Sequence, residues 1–466
     1  MNQEDRMDAQ PARQDAGHLR RSIGVRAAAA VVVANIIGAG IFTTTGFQAA
    51  DLGDPMPIYL LWILGGVLAL CGALCYGELG AAIPKAGAEY QYLHEAFGGR
   101  VALMSVIVSL TAGFSAPIAA AAKGLSHYLS YYIPPLGAET HVLPGITPGD
   151  AFALGVVWML VLIHTLRTEV GIGFTAIWTV AKVVGIVVLV TGAAALGGGD
   201  VGNLTRSMPL SADGSGTAAA MATSLVFVMF CYSGWNSAAY LSEEIRDPGR
   251  NLPRALLWGT GCAAVLYLAL NLFYFYGAGV EGLAGRVEVA QVAASGLFGP
   301  RSVGFVTVLA AVSLLAACSA MTAVGPRVYY ACGRDFPGLR GLSRLHPKTR
   351  TPAIALLTQG LITSLFIVAG AVDQIQHYAG FTLAGFSTLA VISVIVLRRT
   401  QPDLQRPFKV PLYPATPILF IVVSIWMMLW SFEGRPTEST LGLLTVVLGG
   451  AAYPFLIRPR RTEIEG

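Results

Sequence analysis

Charged residues are scarce in this sequence. Lys, Arg, Asp and Glu make up 12% of its 466 residues, whereas hydrophobic residues make up 55%. Ordinary soluble domains carry about 25% charged residues, so the composition favours a polytopic membrane protein. The formal net charge is only +4, and the basic residues form no stripe with interleaved aromatic residues. We therefore expect the lipid bilayer, and no nucleic acid, as a partner.

Motifs of metal sites and of catalysis are also missing. The six cysteines lie in or at the ends of apolar runs, without the Cys-x-x-Cys clusters of zinc sites, which is typical of buried free thiols. The sequence has no His-Glu-x-x-His motif, no phosphate-binding P-loop and no Ser/His/Asp order. We expect neither an enzyme, nor a metal, nor a cofactor.

What the sequence does contain is a series of long apolar runs. About 20 apolar residues are needed for a helix to cross a bilayer, and twelve runs come near this length. The predicted spans are 23–50, 56–83, 101–133, 151–167, 170–197, 217–242, 254–278, 301–332, 352–370, 374–398, 411–432 and 440–458. Residues 1–22 are predicted to be a disordered tail, and residues 459–466 a second, shorter tail.

The basic residues orient these spans. With the N-terminus inside, 24 of the 30 Lys and Arg residues fall on the inner side and four on the outer side. Cytoplasmic loops are enriched in Lys and Arg, so both termini are predicted to be cytoplasmic. The predicted location is the plasma membrane, which is the cell inner membrane in a bacterium.

Two of the apolar runs are interrupted. Gly38-Ala39-Gly40 lies in the first run, and the segment 231–236, which contains Gly234, lies in the sixth. Glycine inside a helix costs about 1 kcal/mol relative to alanine, so these positions mark places where the backbone opens. In a membrane an opened helix is tolerated only against protein or a water-filled cavity.

The interruptions occupy corresponding positions in two halves of the chain. Residues 23–197 hold spans one to five, residues 217–398 hold spans six to ten, and residues 411–458 hold two further spans. A broken first helix in each five-helix half predicts an inverted-repeat transporter with its substrate site between the breaks.

Three motifs carry a resemblance to a known family. IIGAGIF at 36–42, YGELGAAIPKAGAEYQYL at 76–93 and CYSGWNSAAYLSEEIRDPGRNLPRAL at 231–256 resemble motifs of the amino acid–polyamine–organocation (APC) superfamily, in particular its L-type amino acid transporter branch and bacterial relatives. The implied fold is all-α, with twelve transmembrane helices in the LeuT-type five-plus-five inverted repeat. We also expect short interfacial helices in the loops after the second and sixth spans.

The breaks supply the predicted substrate site. Open N–H groups at a half-helix N-terminus suit a carboxylate, although small residues there could equally serve close helix packing. The resemblance implies carbonyl groups in the sixth span for the substrate ammonium, with Phe230 as a gate; Tyr232 and Trp235 could instead be packing residues. The predicted binding residues are Ile37, Gly38, Ala39, Gly40, Ile41, Phe230, Cys231, Tyr232, Ser233, Gly234, Trp235 and Asn236.

Ser233 bears on the substrate class. In this branch, members that accept cations carry an aspartate at this position, and a buried cationic side chain needs a counter-charge. The sequence therefore favours small neutral L-amino acids. The alternatives are an antiporter of cationic amino acids or polyamines, which needs an acidic residue from another helix, and a sensor that binds an amino acid without transporting it.

Lys182 is an ionisable residue near the middle of its apolar span. Such a residue is a functional candidate by default, the alternative being a lysine that reaches the membrane surface. In many members of the family a lysine here takes the place of a sodium ion. The resemblance implies that Lys182 either loses and regains a proton during transport or serves as a fixed cation.

The remaining predictions concern gating and partners. Glu78, Lys85, Glu243 and Glu244 are candidates for an ion-pair network at a cytoplasmic gate, the alternative being solvated charges. Animal L-type transporters are linked to a glycoprotein through a cysteine in the loop between the third and fourth spans. That loop has no cysteine here, so no disulfide-linked subunit is expected. The sequence leaves a homodimer open.

Overall fold

The structure of the protein, a computed structural model, describes residues 21, 23–85, 87–166, 172–208, 218–349 and 351–457. Apart from Arg21, the two predicted tails lie outside these residues. The described chain is helical, and its extended pairings are two isolated bridges, Ile23 to Ile245 and Leu143 to Ile146. The α-helices in chain order are α1 (Val25–Ile36), α2 (Ala39–Leu52), α3 (Pro55–Ala82), α4 (Glu89–Phe97), α5 (Gly99–Val108), α6 (Ala116–Leu129), α7 (Pro148–Leu166), α8 (Ile172–Leu196), α9 (Ala218–Tyr232), α10 (Pro248–Leu283), α11 (Val289–Phe298), α12 (Val303–Asp335), α13 (Ala353–Ala369), α14 (Val372–Thr400), α15 (Ala415–Gly434) and α16 (Pro436–Ile457).

The described helices account for the predicted spans. Ten continuous helical segments are long and apolar enough to cross a membrane, and α1 with α2, which meet at a bend of 41°, form an eleventh span. The 17-residue helix α13 fills the remaining position. The predicted all-α polytopic fold with a discontinuous first helix is confirmed, and the sixth span is also discontinuous because α9 ends at Tyr232.

Local sequence explains where the first helices begin and end. Gly53 closes α2 in a left-handed conformation with φ of 58°, which glycine adopts without strain. Asp54 then caps α3 by accepting a hydrogen bond of 2.8 Å from the backbone N–H of Met56. Pro55 occupies the first turn of α3, where its missing N–H costs no helical hydrogen bond.

The surface of the bundle is apolar where lipid would contact it. Val265 on α10 and Leu365 on α13 are more than two-thirds exposed, and exposed leucines run along α15 and α16. The interior is close-packed and contains the fully buried rings of Trp62, Tyr232 and Tyr267. Since water would disfavour such an exterior, this distribution fits a bilayer.

Two local features differ from the prediction and one agrees with it. The expected interfacial helix after the second span is present as α4. The prediction of such a helix after the sixth span is wrong. A short 3-10 helix, Ser237–Leu241, leads to α10 instead, and Pro248 is the first residue of α10. The ten-residue helix α11 was not predicted, because it is too short to give a membrane-span signal. Below, the α4 end and the α11 end denote the two ends of the bundle on which these helices lie.

Candidate functional site

The first break lies between α1 and α2. Gly38, the residue before α2, has a non-helical backbone, with φ of −117° and ψ of −147°. The first-turn N–H groups of α2, which include those of Ala39 and Gly40, have no helical partner, because an α-helix leaves its first four donors free. The break therefore points the positive end of a helix dipole into the protein interior.

The two glycines of this break have different surroundings. A Cβ atom on Gly38 would have no neighbour closer than 3.9 Å, whereas a Cβ atom on Gly40 would lie 2.5 Å from Sγ of Cys231. Gly38 is thus the position where the helix opens, and Gly40 is the position where it touches the sixth span. Opening and close packing, which the sequence presented as alternatives, occur together.

The second break follows α9 and turns at Gly234. Its φ of 100° lies in the left-handed region, where side chains are strained. A Cβ atom on Gly234 would also lie 3.0 Å from the carbonyl of Asn35 in α1. Each break therefore has a glycine that allows direct contact with the other broken span.

Two side chains from other helices hold the breaks. The hydroxyl of Tyr267 on α10 lies within hydrogen-bond distance of the carbonyl oxygens of Ile36 and Cys231, one in each broken span. The ammonium of Lys182 on α8 donates to the carbonyl oxygens of Ile37 at 2.9 Å and Ala34 at 3.3 Å. Lys182 is 5% exposed, so it does not reach the membrane surface. Carbonyls left free by the open helix are satisfied by these two donors.

A cavity of about 160 Å³ extends from the second break towards the α4 end. One water needs roughly 10–15 Å³ by the same measure, so the cavity has room for a small amino acid. Hydroxyl and amide side chains supply most of its polar wall. They are Asn35, Ser105, Ser109, Ser233, Asn236, Ser237, Tyr240 and Ser387.

One carboxylate also lines the cavity. Glu89, the first residue of α4, is 7% exposed, and its Oε1 atom has no hydrogen-bond partner. The phenols of Tyr76 and Tyr240 lie beside its carboxyl group. Glu89 is not among the residues predicted from the sequence, although it stands within the second family motif, because no local pattern shows that a loop carboxylate folds back onto the cavity.

On the other side of the breaks, buried polar side chains tie α2 to its neighbours. Gln376 on α14 donates to Thr43 at 2.6 Å and accepts from Thr44 at 3.0 Å. Thr45 donates to Asn271 on α10 at 2.9 Å. All five side chains are fully buried. The α11 half of the molecule is therefore closed, while the cavity lies in the α4 half.

An ionic cluster covers this closed half at the α11 end. Arg435, between α15 and α16, pairs with Asp373 on α14 at 2.7 Å and lies 4.0 Å from Asp51 on α2. Its guanidinium also lies 5.7 Å from the ring centre of Phe227 on α9. One side chain thus connects both broken spans to α14.

The predicted binding residues divide into two groups. Ser233, Gly234, Trp235 and Asn236 line the cavity. The rest, Ile37 to Ile41 and Phe230 to Tyr232, are buried and are not among the described lining residues. Phe230 and Tyr232 are nevertheless packed beside the site. Phe230 lies against the lining residue Gly380, and Tyr232 forms an aromatic cluster with Trp62 and Tyr267.

The charged residues proposed for a gate have other partners than expected. Glu78 forms a two-pronged hydrogen bond with Arg398 at the end of α14 and accepts from the backbone N–H of Val410. Lys85 pairs with Glu95 at 3.3 Å on the exposed face of α4. Of the predicted network, Glu78 pairs with Arg398 and Lys85 with Glu95, because Glu78 points into the bundle, where α14 ends.

The remaining two gate candidates lie next to a backbone contact. The carbonyl of Glu244, which follows Glu243, accepts a hydrogen bond of 2.9 Å from the N–H of Ile23, and the N–H of Arg246 donates to the carbonyl of Ile23. This bridge fastens the segment before α1 to the segment after the second break. It links the α4 ends of both broken spans.

Comparison with known proteins adds to this geometry. The sequence model described as "Amino acid permease" matches residues 23–452. The chain is 30% identical to b(0,+)-type amino acid transporter 1 of Mus musculus over 443 residues, which are 94% of this chain and 88% of that protein. It is 25% identical to Asc-type amino acid transporter 1 of Mus musculus, covering 92% and 80% of the two chains. It is 26% identical to large neutral amino acids transporter small subunit 2 of Rattus norvegicus, covering 93% and 80%.

Proposed function

We propose that this chain, which belongs to the amino acid permease family, carries small neutral L-amino acids across the plasma membrane by alternating access. Members of the family are transporters and not enzymes. The observation that carries the proposal is the contact of the two breaks, with Tyr267 reaching a carbonyl of each. A zwitterion needs hydrogen-bond donors for its carboxylate and acceptors for its ammonium, and two opened helices that meet can supply both.

The proposed orientation places the α4 end in the cytoplasm. It rests on the 24-to-4 distribution of basic residues over the two sides. The cavity lies in the α4 half, whereas Gln376 and Arg435 hold the α11 half closed. In this orientation the molecule is in an inward-facing state. In a bacterium the membrane would be the cell inner membrane.

In the proposed binding mode, the two ends of the substrate meet different breaks. The free N–H groups of Ala39 to Ile41 receive the carboxylate. Carbonyl groups between Phe230 and Asn236 receive the ammonium, and Phe230 covers the substrate side chain. Lys182 keeps the first break open by binding the carbonyl of Ile37, and this bond occupies the position that an ion would otherwise fill.

The preference for uncharged side chains rests on Ser233. It lines the cavity and carries no charge, so the second break has no counter-charge for a cation at the position where cation-accepting relatives of the L-type branch have an aspartate. Burying a cation without a partner is costly. A small side chain also suits the size of the cavity.

Reconstituted full-length protein tests the proposal. Uptake of labelled alanine and leucine into proteoliposomes is measured with and without a proton gradient and with and without internal amino acid. We expect uptake, and we expect Gly234→Ala to abolish it, because a Cβ atom there meets Asn35. Gly261→Ala is the matched control, since a Cβ atom at Gly261 meets no atom within 4 Å. Substrate binding without flux under every condition would instead favour the sensor.

A second candidate function is exchange of cationic amino acids or polyamines. The observation that favours it is Glu89, an acidic residue that lines the cavity from outside the sixth span. Arginine or agmatine exchange without uptake of alanine or leucine would establish it in place of the first.

We propose further that transport needs no disulfide-linked subunit. The support is in the sequence, because none of the six cysteines lies in the loop between α6 and α7. Purification of the chain alone in an active form would support this.

A further inference from the structure

Of the lining residues that the structure describes, Glu89 is the one strongly ionisable residue of the cavity wall. Among the described lining residues no other Asp or Glu and no Lys, Arg or His occurs. The charge of the cavity is therefore set by one carboxyl group. That group stands next to Tyr240, which follows the second break, and shares the cavity wall with Asn236 of that break.

Among the residues that the structure describes, no cation faces Glu89 and fixes its charge. The titratable groups facing it are the phenols of Tyr76 on α3, Tyr240 after the second break and Tyr92 on α4 itself. Three arginines, Arg398 and Arg399 on α14 and Arg100 on α5, belong to helices that pack against α4, and Arg399 is exposed at the end of its helix. Arg398 is bound to Glu78, and Arg100 lies over the ring of Tyr453.

Burial opposes ionisation of this carboxyl group. Loss of solvent raises the pKa of Glu89 to about 7, against the weaker stabilisation of the carboxylate by the hydroxyls of Tyr76 and Tyr240. Both forms are then populated near neutral pH. Below this pH the cavity is uncharged, and above it the cavity carries one negative charge.

We propose that Glu89 is a specificity-determining residue. When Glu89 is protonated, the cavity binds amino acids with uncharged side chains. When Glu89 is ionised, it is the counter-charge for a side-chain ammonium or guanidinium. The inference rests on the proposed function and refines its substrate class. It also explains how a site with Ser233 in place of an aspartate can accept a cation, because the negative charge comes from Glu89 on α4 instead.

The test compares lysine and alanine in the same proteoliposomes. Counterflow uptake of each is measured from pH 5.5 to 8.5, with equal pH on both sides, for the wild type and Glu89→Gln. As the ionised fraction of a group with a pKa near 7 rises from a few per cent to nearly all, the lysine-to-alanine uptake ratio of the wild type should rise about tenfold or more. In Glu89→Gln the ratio at pH 8 should fall by about tenfold, and its pH dependence should disappear.

Two further variants make the test specific. Glu95→Gln removes the same charge from the same helix at an exposed position and should leave the ratio and its pH profile unchanged. Glu89→Asp should retain a rise of the ratio with pH, which a purely structural role would not require. Thermal stabilisation of each variant by alanine in detergent shows that it is folded.

The outcomes separate this inference from the proposed function. Alanine uptake by the wild type without lysine uptake at pH 8.5 overturns the inference and leaves the proposed function standing. A lysine-to-alanine ratio that Glu89→Gln does not change overturns it as well. Failure of alanine uptake at every pH contradicts the proposed function itself, whatever the lysine result.

Discussion

The ammonium of Lys182 lies 2.9 Å from the carbonyl oxygen of Ile37, at the point where the first broken helix opens. It also reaches the carbonyl of Ala34, on the last turn of α1. The lysine therefore binds the backbone that the break exposes. A change in these hydrogen bonds of Lys182 would therefore alter the backbone at the proposed carboxylate site.

Lys182→Ala should lower transport and alter its pH dependence. Without the ammonium, the buried carbonyl of Ile37 and the partly buried carbonyl of Ala34 lose this donor, and an unsatisfied buried group costs about 1–3 kcal/mol. The open form of the break becomes less stable, so we expect at least about a tenfold loss in kcat/KM for alanine. Initial uptake rates from pH 5.5 to 8.5 measure both effects.

Lys123→Ala is the matched control for this measurement. Lys123 is also a lysine within a membrane span, but it pairs with Asp150 and with the carbonyl of Ile367 near the α11 end. Its removal should lower thermal stability without changing the shape of the pH profile. Wild-type affinity, turnover and pH profile in Lys182→Ala would remove the lysine from the mechanism.

Gly40 and Cys231 should be energetically coupled. A methyl group on Gly40 would lie 2.5 Å from the sulfur of Cys231, so Gly40→Ala forces the two broken spans apart. Overpacking of this kind costs about 1–3 kcal/mol. Adding Cys231→Ala removes the sulfur and should recover part of the lost thermal stability. Gly38→Ala, whose added Cβ atom would lie 3.9 Å from its nearest neighbour, should cost less stability than Gly40→Ala.

A double-mutant cycle on thermal unfolding in detergent measures this coupling. Gly261→Ala controls for the general effect of alanine in a membrane helix, because its surroundings are open. Strict additivity of Gly40→Ala and Cys231→Ala would show that the two spans do not meet as described.

The sequence predicted the two breaks because glycine leaves a local signal. Gly38 and Gly40 stand in an apolar run, and Gly234 adopts a φ of 100° that other residues avoid. The spans were equally accessible from the sequence, since hydropathy alone marks a segment that must lie in lipid. Where a local rule dictates the structure, the sequence was sufficient.

Tertiary contacts left no such signal. Nothing in the run around Tyr267 shows that its hydroxyl bridges two carbonyls 36 and 231 residues away in sequence. Glu78 was expected to join the nearby Lys85 in a network, yet it pairs with Arg398 across the bundle. From the sequence alone Glu89 is a carboxylate in a loop, and only the packing of α4 places it at the cavity. Partners distant in sequence are set by packing, which periodicity and composition do not encode.

Glu78→Gln should reduce stability more than it reduces transport. Glu78 is 2% exposed and accepts from Arg398 and from the backbone of Val410, so it fixes the start of the connection between α14 and α15. Removing one partner of a buried ion pair costs about 3–5 kcal/mol. Thermal unfolding in detergent should show a marked decrease, whereas KM for alanine should change little.

Glu95→Gln is the comparison for Glu78. Its pair with Lys85 is exposed to solvent, and pairs of this kind contribute about 0–1 kcal/mol. If Glu78→Gln unfolds like Glu95→Gln and instead changes KM, then Glu78 belongs to the gate that the sequence first indicated.

Arg435→Gln should loosen the closed α11 half. The guanidinium of Arg435 pairs with Asp373 and faces Asp51, and hydrogen bonds to charged groups contribute about 1.5–3 kcal/mol. Losing one such bond should raise the population of the state in which the α11 half is open by about tenfold, because 1.4 kcal/mol corresponds to a factor of ten. Cys231 at the breaks reports this opening. It is 2% exposed and should become reactive once α2 moves away.

The measurement is the rate at which a membrane-impermeant maleimide labels Cys231 from the α11 side. It is made in a Cys262→Ser background, because Cys262 is exposed on the outside of the bundle. Arg206→Gln is the control: Arg206 forms an ion pair with Asp200 that is more than half exposed, so its loss should not open the α11 half. Saturating alanine, which favours closure around a bound substrate, should slow labelling in Arg435→Gln. Equal labelling rates in Arg435→Gln and Arg206→Gln would show that the cluster does not hold α2 and α14 together.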